Sequence, residues 1–370
     1  MKKLDSINWE FKEDDTRYLT HSIHRYSSKF IPQIAATLIE NLSKKNDVVL
    51  DCFCGSGTTL VEANLLKRKS YGIDLNPIAC LISKVKITYI PEKLLKSEIT
   101  QFLSSTKKDL ENKSKFKKIQ INQKDKIRKE LTRWYFPENF RDLKIIKNNI
   151  EKIENKEISD LMTVSFSEIV RRCSKAASSY PNLMIDKEKK PISSIIKIFE
   201  NQMNANVKNV IEFSKDFDSK YKPEIIEGDS RKMANFENEI FDLVICHPPY
   251  VAAVPYAEFL RLSLMWLGYD PKYYDSVLIG GKRSRKDVYD KFMISMKDVI
   301  IEIKRVLKKG KTCALIIGNP QVHGEVIKLN ETLTKLIEEV GMKKTYDIKR
   351  ERINMRKGRI KDEFIITFTK

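Results

Sequence analysis

The stretch that decides the fold is "DVVLDCFCGSGTTLVEANLLKRKSYGIDLN", residues 47–76. It begins with a short apolar run, "DVVLD" (47–51), of the length expected for a buried strand. Gly55 and Gly57 follow. Glycine lets the backbone turn sharply and brings peptide N–H groups close to a ligand. "TTLVEANLLKRK" (58–69) then places apolar residues at helical spacing, and "KSYGIDLN" (69–76) reads as a second strand ending in an acid, Asp74. Strand, glycine turn, helix and strand make the opening of a right-handed βαβ unit.

Upstream, "KFIPQIAATLIENLSK" (29–44) spaces Ile31, Ile34, Leu38, Ile39 and Leu42 as one face of a helix. Downstream, strand patterns return at "PEIIEGD" (223–229), "FDLVICH" (241–247) and "KTCALIIGN" (311–319). A helix is expected over roughly 286–308, with Lys308, Lys309 and Gly310 as a cationic end and a glycine stop. The last segment, "KKTYDIKRERINMRKGRIKDEFIITFTK" (343–370), reads as two strands around a basic turn centred on Gly358. Residues 90–220 differ in character: rich in Lys, Glu, Asn and Ser, poor in glycine, and periodic as helices are. The expected fold class is α/β, a doubly wound, Rossmann-like sheet with an antiparallel C-terminal strand pair and a helical insertion. Residues 1–85 and 222–370 form the sheet domain, and 86–221 form the insertion between its second and third strands.

Composition narrows the class. The chain has 370 residues, 41% of them hydrophobic and 9% aromatic, which fits a globular protein with a sizeable core. Its formal charge of +19 favours a polyanionic partner, nucleic acid before a membrane surface, unless the lysines only dress solvated faces. The six cysteines form no C-x-x-C pair and no zinc spacing with histidine, and most sit in apolar runs, as reduced structural cysteines do. His21, His24 and His323 have no metal-like partners in the sequence, and no metal is expected. No apolar leader opens the sequence and no run approaches a membrane span, so the expectation is a soluble cytoplasmic protein.

The apolar run of "FDLVICHPPYV" (241–251) stops at His247-Pro248-Pro249-Tyr250. Two prolines donate no N–H and cannot continue a central strand. In an open α/β sheet, ligands bind beyond the carboxyl ends of the strands. Here those ends are Asp51–Gly57, Asp74, Asp229 and His247–Tyr250. The glycine turn has neither the G-x-G-x-x-G spacing nor the P-loop pattern. Asp74 is placed to accept the two ribose hydroxyls of an adenosine-type cofactor, and Asp229 to accept an adenine amino group. The competing reading of each acid is a helix cap or turn residue.

Two of these stretches carry a family likeness. "DCFCGSGTT" (51–59) resembles the D-P-F-C-G-S-G-T-T motif of the S-adenosylmethionine-dependent DNA amino-methyltransferases, and "CHPPY" (246–250) resembles their (D/N/S)-P-P-(Y/F) catalytic motif. "HRYSSKFIP" (24–32), "GDSRKM" (228–233), "VPYAEFLRLSLMWLGYD" (254–270) and parts of 133–177 look like further family segments. The resemblance implies a methyltransferase domain with S-adenosyl-L-methionine as cofactor. It implies that the peptides of Phe53, Gly55 and Gly57 cradle that cofactor, that Asp51 holds its amino group, and that Asp74 holds its ribose. Asp229 and Ser230 would face the adenine, and the segment with Lys29 and Phe30 would close over the methionine part. His247 and the Pro248 carbonyl would contact the target amine, Pro249 would stiffen the corner, and Tyr250 would stack on an extruded base.

The chemistry agrees with that assignment. An exocyclic base amine is a weak nucleophile because its lone pair is delocalised into the ring, and acceptors on its hydrogens localise that pair. Two positions depart from the family pattern: His247 where the family has Asp, Asn or Ser, and Cys52 where it has Pro. A histidine accepts a hydrogen bond only when neutral, so activity is expected to fall below about pH 6.5. Cytosine-C5 methylation needs a nucleophilic cysteine, usually in a Pro-Cys loop, and the chain has no Pro-Cys pair. "KDKIRKELTRW" (124–134), "EIVRRCSK" (168–175) and "GGKRSRK" (280–286) are candidate phosphate contacts, and the insertion is a candidate target-recognition region. The resemblance implies DNA as substrate, cytosine N4 ahead of adenine N6, and a cognate restriction endonuclease as partner. A tRNA guanine-N2 methyltransferase and an inactive nucleic-acid-binding subunit remain as alternatives.

Overall fold

The computed structural model describes residues 3–112, 126–177, 183–251, 256–280, 287–322, 325–351 and 362–370. The basic stretch after Gly280, the Gly358 turn and His323 lie outside them. The first strand, β1 (Val48–Asp51), is preceded by α1 (Pro32–Leu42), which has proline at its first position, where no N–H is needed. α2 (Thr58–Leu65), β2 (Lys69–Asp74) and α3 (Pro77–Lys86) complete the opening unit. α3 is capped by the Asn76 side chain, which accepts from the Ile78 N–H. Among the described residues, five further helices follow: α4 (Glu92–Glu111), α5 (Lys126–Arg133), α6 (Pro137–Ile150), α7 (Lys156–Val170) and α8 (Ile195–Asp216).

The chain then re-enters the sheet with β3 (Glu224–Glu227) and β4 (Phe241–Cys246). Short helices α9 (Tyr256–Phe259), α10 (Arg261–Trp266) and α11 (Pro271–Val277) lead to the long α12 (Val288–Val306) and to β5 (Leu307–Gly318). A small hairpin, β6 (Gln321–Val322) with β7 (Glu325–Val326), precedes α13 (Leu329–Glu339), β8 (Lys343–Glu351) and β9 (Asp362–Thr369).

The main sheet runs β3-β2-β1-β4-β5-β9-β8. Its first five strands are parallel, and β9 and β8 join antiparallel at the far edge. Both faces are covered, and the alternation of side chains shows how. Val49, Leu243, Ile245, Ala314 and Ile316 pack under α1, while Leu50, Val244, Cys246, Leu315 and Ile317 pack under α12 and α13. All of β4 is buried, as a central parallel strand must be. A third cluster joins α3 to the helical block and α10: Ile78, Ile82, Leu143, Leu161, Phe166, Phe199 and Trp266 share it. Tyr135 ties this cluster together, accepting from the Trp266 indole (2.9 Å) and donating to the Val170 carbonyl (2.9 Å).

Two boundaries differ from the sequence reading. Lys308–Gly310 do not stop a helix, because α12 passes directly into β5. Lys308 and Lys311 instead reach Asp242 of β4 (2.8 and 3.0 Å), so the lysines fasten a strand pair. β3 ends at Glu227, leaving Asp229 on the loop beyond it. No helix among the described residues is long and apolar enough to cross a membrane.

Candidate active site

The strand order creates the site. From β1 the chain moves outward to β2 and β3, and then returns to β4 on the other side of β1. Loops leaving β1 and β4 therefore diverge, and a crevice opens between them, the usual ligand position in such sheets. A cleft occupies it, with about 760 Å³ of empty space when its opening to solvent is included. Its wall is drawn from the N-terminal segment (Tyr26, Lys29, Phe30), the β1 turn (Phe53, Gly55, Ser56), the end of β2 (Asp74, Asn76), the β3 loop (Asp229, Ser230) and the β4 corner (His247, Pro249).

The β1 turn is shaped by short-range bonds. Asp51 is 1% exposed and accepts from the Phe53 N–H (3.1 Å) and the Thr59 hydroxyl (2.5 Å). Gly57 caps α2 at φ +78°. A Cβ there would lie 2.9 Å from the Ser83 hydroxyl and 3.0 Å from the Ser83 Cα, so both the dihedral and the space call for glycine. Asp74 accepts from the N–H groups of Gly55 (2.9 Å) and Asn76 (2.8 Å). Burial pushes the Asp51 carboxyl up to about 7 and that of Asp74 to about 6, against the pull of these hydrogen bonds. Lys29 donates to the His21 carbonyl (2.6 Å), and burial lowers its ammonium to about 8.

The N-terminal segment is fastened from outside by the helical block. The Glu168 carboxylate of α7 accepts from the Arg25 N–H (2.8 Å), Ser167 meets His24 Nε2 (3.0 Å), and Asn209 of α8 donates to the Ser22 hydroxyl (2.7 Å). Among the basic stretches named above, Arg261 pairs with Glu130, Arg171 lies over the Phe259 ring and Lys175 over Phe136, while Lys126, Lys129, Arg133 and Arg172 are exposed.

The β4 corner is held over a longer range. His247 Nε2 lies 3.1 Å from the Tyr250 hydroxyl, which donates to Glu363 Oε1 of β9 (2.7 Å). Arg350 of β8 donates to Glu363 Oε2 (2.5 Å) and to the Trp9 carbonyl (2.9 Å). The Phe30 ring packs edge-on against His247 at 5.2 Å.

Of the residues singled out from sequence, Lys29, Phe30, Phe53, Gly55, Asp74, Asp229, Ser230, His247 and Pro249 line one cavity. Asp51, Gly57, Pro248 and Tyr250 stand behind its wall, and the Tyr250 ring is 1% exposed. Asp229 lines the cavity with its carboxylate paired to Arg231 (2.6 Å), and the Ser230 hydroxyl donates to the Cys52 carbonyl. Sequence reasoning missed Tyr26, Tyr256, Leu278 and Ile279 in the lining, and Glu363 and Arg350 behind the corner. Tyr26 was within reach, since it lies inside the "HRYSSKFIP" segment.

A sequence profile of the DNA methylase family matches residues 5–85, which hold the N-terminal segment, the glycine turn and Asp74. The Type II methyltransferase M.MvaI of Kocuria varians is 28% identical over 77% of this chain and 67% of its own length. M.MjaII of Methanocaldococcus jannaschii is 25% identical over 81% of this chain and 72% of its own. The chain is similar to the DNA methylases, through the profile match over residues 5–85 and these Type II methyltransferases. M.BsoBI of Geobacillus stearothermophilus is a further relative, at 24% identity over 90% of the chain and 81% of its own. Among solved structures, a SAM-dependent methyltransferase from Methanosarcina mazei aligns with a TM-score of 0.36 at 12% identity, covering 90% of this chain and 96% of that one.

The cofactor of this methyltransferase is S-adenosylmethionine, and the cavity fits it. A carboxylate, Asp74, stands at the end of β2, where the family holds a ribose, and the cationic Lys29 stands on the opposing segment, suited to a methionine carboxylate. The space that a Cβ on Gly55 would take lies 3.1 Å from the Tyr26 ring, so the turn keeps the backbone close to the cavity. When bound, the cofactor supplies an electrophilic methyl group on a sulfonium.

Proposed function

We propose that this methyltransferase transfers the methyl group to an exocyclic base amine in DNA, cytosine N4 in preference to adenine N6, in a cytoplasmic restriction-modification or genome-protection system. The carrying observation is that the His247–Pro249 corner and the Asp74–Gly55 turn line one cavity from two adjoining strands. A base amine reaching the corner would meet a cofactor bound along the turn. In this reading Asp74 holds the ribose, and Asp229 with Ser230 borders the adenine. Lys29 and Phe30 enclose the methionine part, and Asp51 and Gly57 hold the shape of the turn from behind.

His247 accepts from the target amine together with the Pro248 carbonyl, and the prolines fix their direction. The amine lies inside the duplex stack, so the base has to be extruded into the cavity. The cytosine preference comes from "PPYVAAVPYAEFLRLSLMWLGYD" (248–270), which looks more like the Ser-form than the Asp-form members of the family. A cysteine-nucleophile route to C5 has little support: all six cysteines are buried, and burial raises the thiols of Cys52, Cys54, Cys80, Cys173 and Cys313. Exposed Lys126, Lys129, Arg133 and Arg172 on the helical block would neutralise phosphates.

The test is direct. The purified protein is incubated with S-adenosylmethionine and separate DNA and tRNA pools, which are then digested to nucleosides for mass spectrometry. N4-methylcytosine in DNA is expected. N6-methyladenine would reassign the base, and methylated tRNA beside untouched DNA would overturn the proposal.

A further inference from the structure

We propose that Lys86 is a positioning residue for the carboxylate of S-adenosylmethionine, acting from behind the glycine turn through the hydroxyl of Ser56. The proposal rests on the reading that the methionine end of the cofactor lies under the Lys29 segment.

Lys86 is the last residue of α3, and it is fully buried. Among the described residues its ammonium has one hydrogen-bond partner, the Ser56 hydroxyl at 3.3 Å, and no carboxylate. The buried acid of this region, Glu62, is committed to Tyr18 (2.7 Å) and His21 (2.6 Å). Buried charges are normally paired, because a neutral partner does not make up for the water that is lost. The position at a helix C-terminus, which suits a cation, offsets part of that cost. The neighbouring bases add to it. Burial holds the Lys86 ammonium well below its ordinary range, the Lys29 charge pushes it the same way, and Lys86 in turn lowers His21 and His24. A lysine without a counter-charge, set among bases, marks a place that lacks an anion.

Two adjoining residues bring the lysines to that place. The Thr20 hydroxyl donates to the Lys86 carbonyl (2.9 Å), and the carbonyl of His21 accepts from Lys29 (2.6 Å). Lys29 and Ser56 both line the cavity, one from the covering segment and one from the turn. Ser56 makes no other side-chain hydrogen bond among the described residues. An ammonium donates and cannot accept, so the Ser56 oxygen accepts from Lys86, and the hydroxyl proton is left for a group in the cavity. S-adenosylmethionine carries two cationic groups, the sulfonium and the ammonium, and one anionic group, the carboxylate. Only the carboxylate answers both lysines. It would accept from Lys29 on one side and from Ser56 on the other, with the charge of Lys86 strengthening the second bond.

The experiment compares S-adenosylmethionine with its decarboxylated form, which keeps both cationic groups, in calorimetric titrations of the full chain. The wild type should bind the intact cofactor more tightly, by on the order of 10- to 100-fold. Lys86→Met fills the same space and removes the unpaired charge. It should lose most of that preference while binding the decarboxylated form within about twofold of the wild type. Ser56→Ala should lose the preference likewise, and serves if the methionine variant does not fold. A lysine that only supports the fold would weaken both ligands alike on replacement. That result, or a preference retained in either variant, would overturn the inference.

Lys29→Met separates the inference from the reading beneath it. A preference lost in Lys29→Met but kept in Lys86→Met overturns the inference and leaves the methionine end under the Lys29 segment. A preference kept in all three variants, or absent from the wild type, overturns both. Binding is read without turnover, so the result stands apart from which base is methylated.

Discussion

The turn after β1 and the corner after β4 sit on adjoining strands and share a cavity, yet they are built in opposite ways. The turn is wired from within: Asp51 holds Phe53 and Thr59, Gly57 fits against Ser83 of the next helix, and Asp74 receives Gly55. The corner is wired from afar, since its tyrosine ends on a carboxylate 113 positions along the chain. A short-range design is shaped by side-chain size and dihedral preference. A long-range one depends on buried charge, so the two should fail differently when disturbed.

The largest effect is expected at the corner. Arg350→Met leaves the buried Glu363 carboxylate without its counter-charge, and losses of this kind run to about 3–5 kcal/mol. Urea unfolding should report a loss of that order, with kcat reduced more than cofactor affinity in the fraction that folds. An unchanged midpoint would mean that the corner does not lean on its distant pair.

Next comes a pH effect at the turn. The folded-state carboxyl of Asp51 is raised to about 7 by burial. The folded protein therefore holds a proton that the unfolded chain releases above about pH 4, and stability declines as pH rises from about 4 to 7. Asp51→Asn cannot ionise and should remove on the order of 3 kcal/mol of that decline, measured by urea titrations at both ends of the window. Asp74 and Glu62 shift the same way and should preserve part of the slope.

A smaller loss belongs to Gly57→Ala. Its left-handed φ and its contact with the Ser83 backbone together should cost about 1–3 kcal/mol, seen as a lower Tm and weaker S-adenosylmethionine binding by calorimetry. The smallest effect on the whole fold belongs to the outer fastening. Glu168→Ala removes the charge-assisted hydrogen bond to the Arg25 N–H together with the contacts to His24 Nδ1 (3.4 Å) and Arg25 Nε (3.5 Å), a loss felt in the covering segment and not in the global unfolding midpoint. Because that bond secures only the covering segment, a rise of a few-fold in KM for the cofactor with kcat unchanged is expected. An equal fall in kcat would place the segment in the chemical step.

The same contrast explains what could be read in the sequence. β1, β2 and β4 emerged with their ends correct to within a residue, because their apolar runs are bounded by glycine, acid or proline. Phe53, Gly55 and Asp74, on the short-range turn, were visible for the same reason. The α12–β5 boundary was not, since Lys308 and Lys309 look like a helix end until Asp242 is seen opposite Lys308. Glu363 lies in a strand whose local pattern is apolar, and nothing near it in sequence points to Tyr250. The pairing of Asp229 with Arg231 was adjacent and still missed, because an acid beside a base is so common in so charged a chain.

The connection from β2 to β3 has a consequence for how this chain tolerates change. It leaves the sheet after Asp74 and returns at Glu224, and β2 and β3 are hydrogen-bonded neighbours, so the ends of the excursion are pinned side by side whatever lies between them. Closing a longer loop costs only about 0.6 kcal/mol per doubling of its length. The entropy of the chain therefore sets almost no limit on how much can be spliced in at that point. The sheet offers a place where a different helical block can be exchanged while the registers that align Asp51, Asp74 and Ile245 stay as they are.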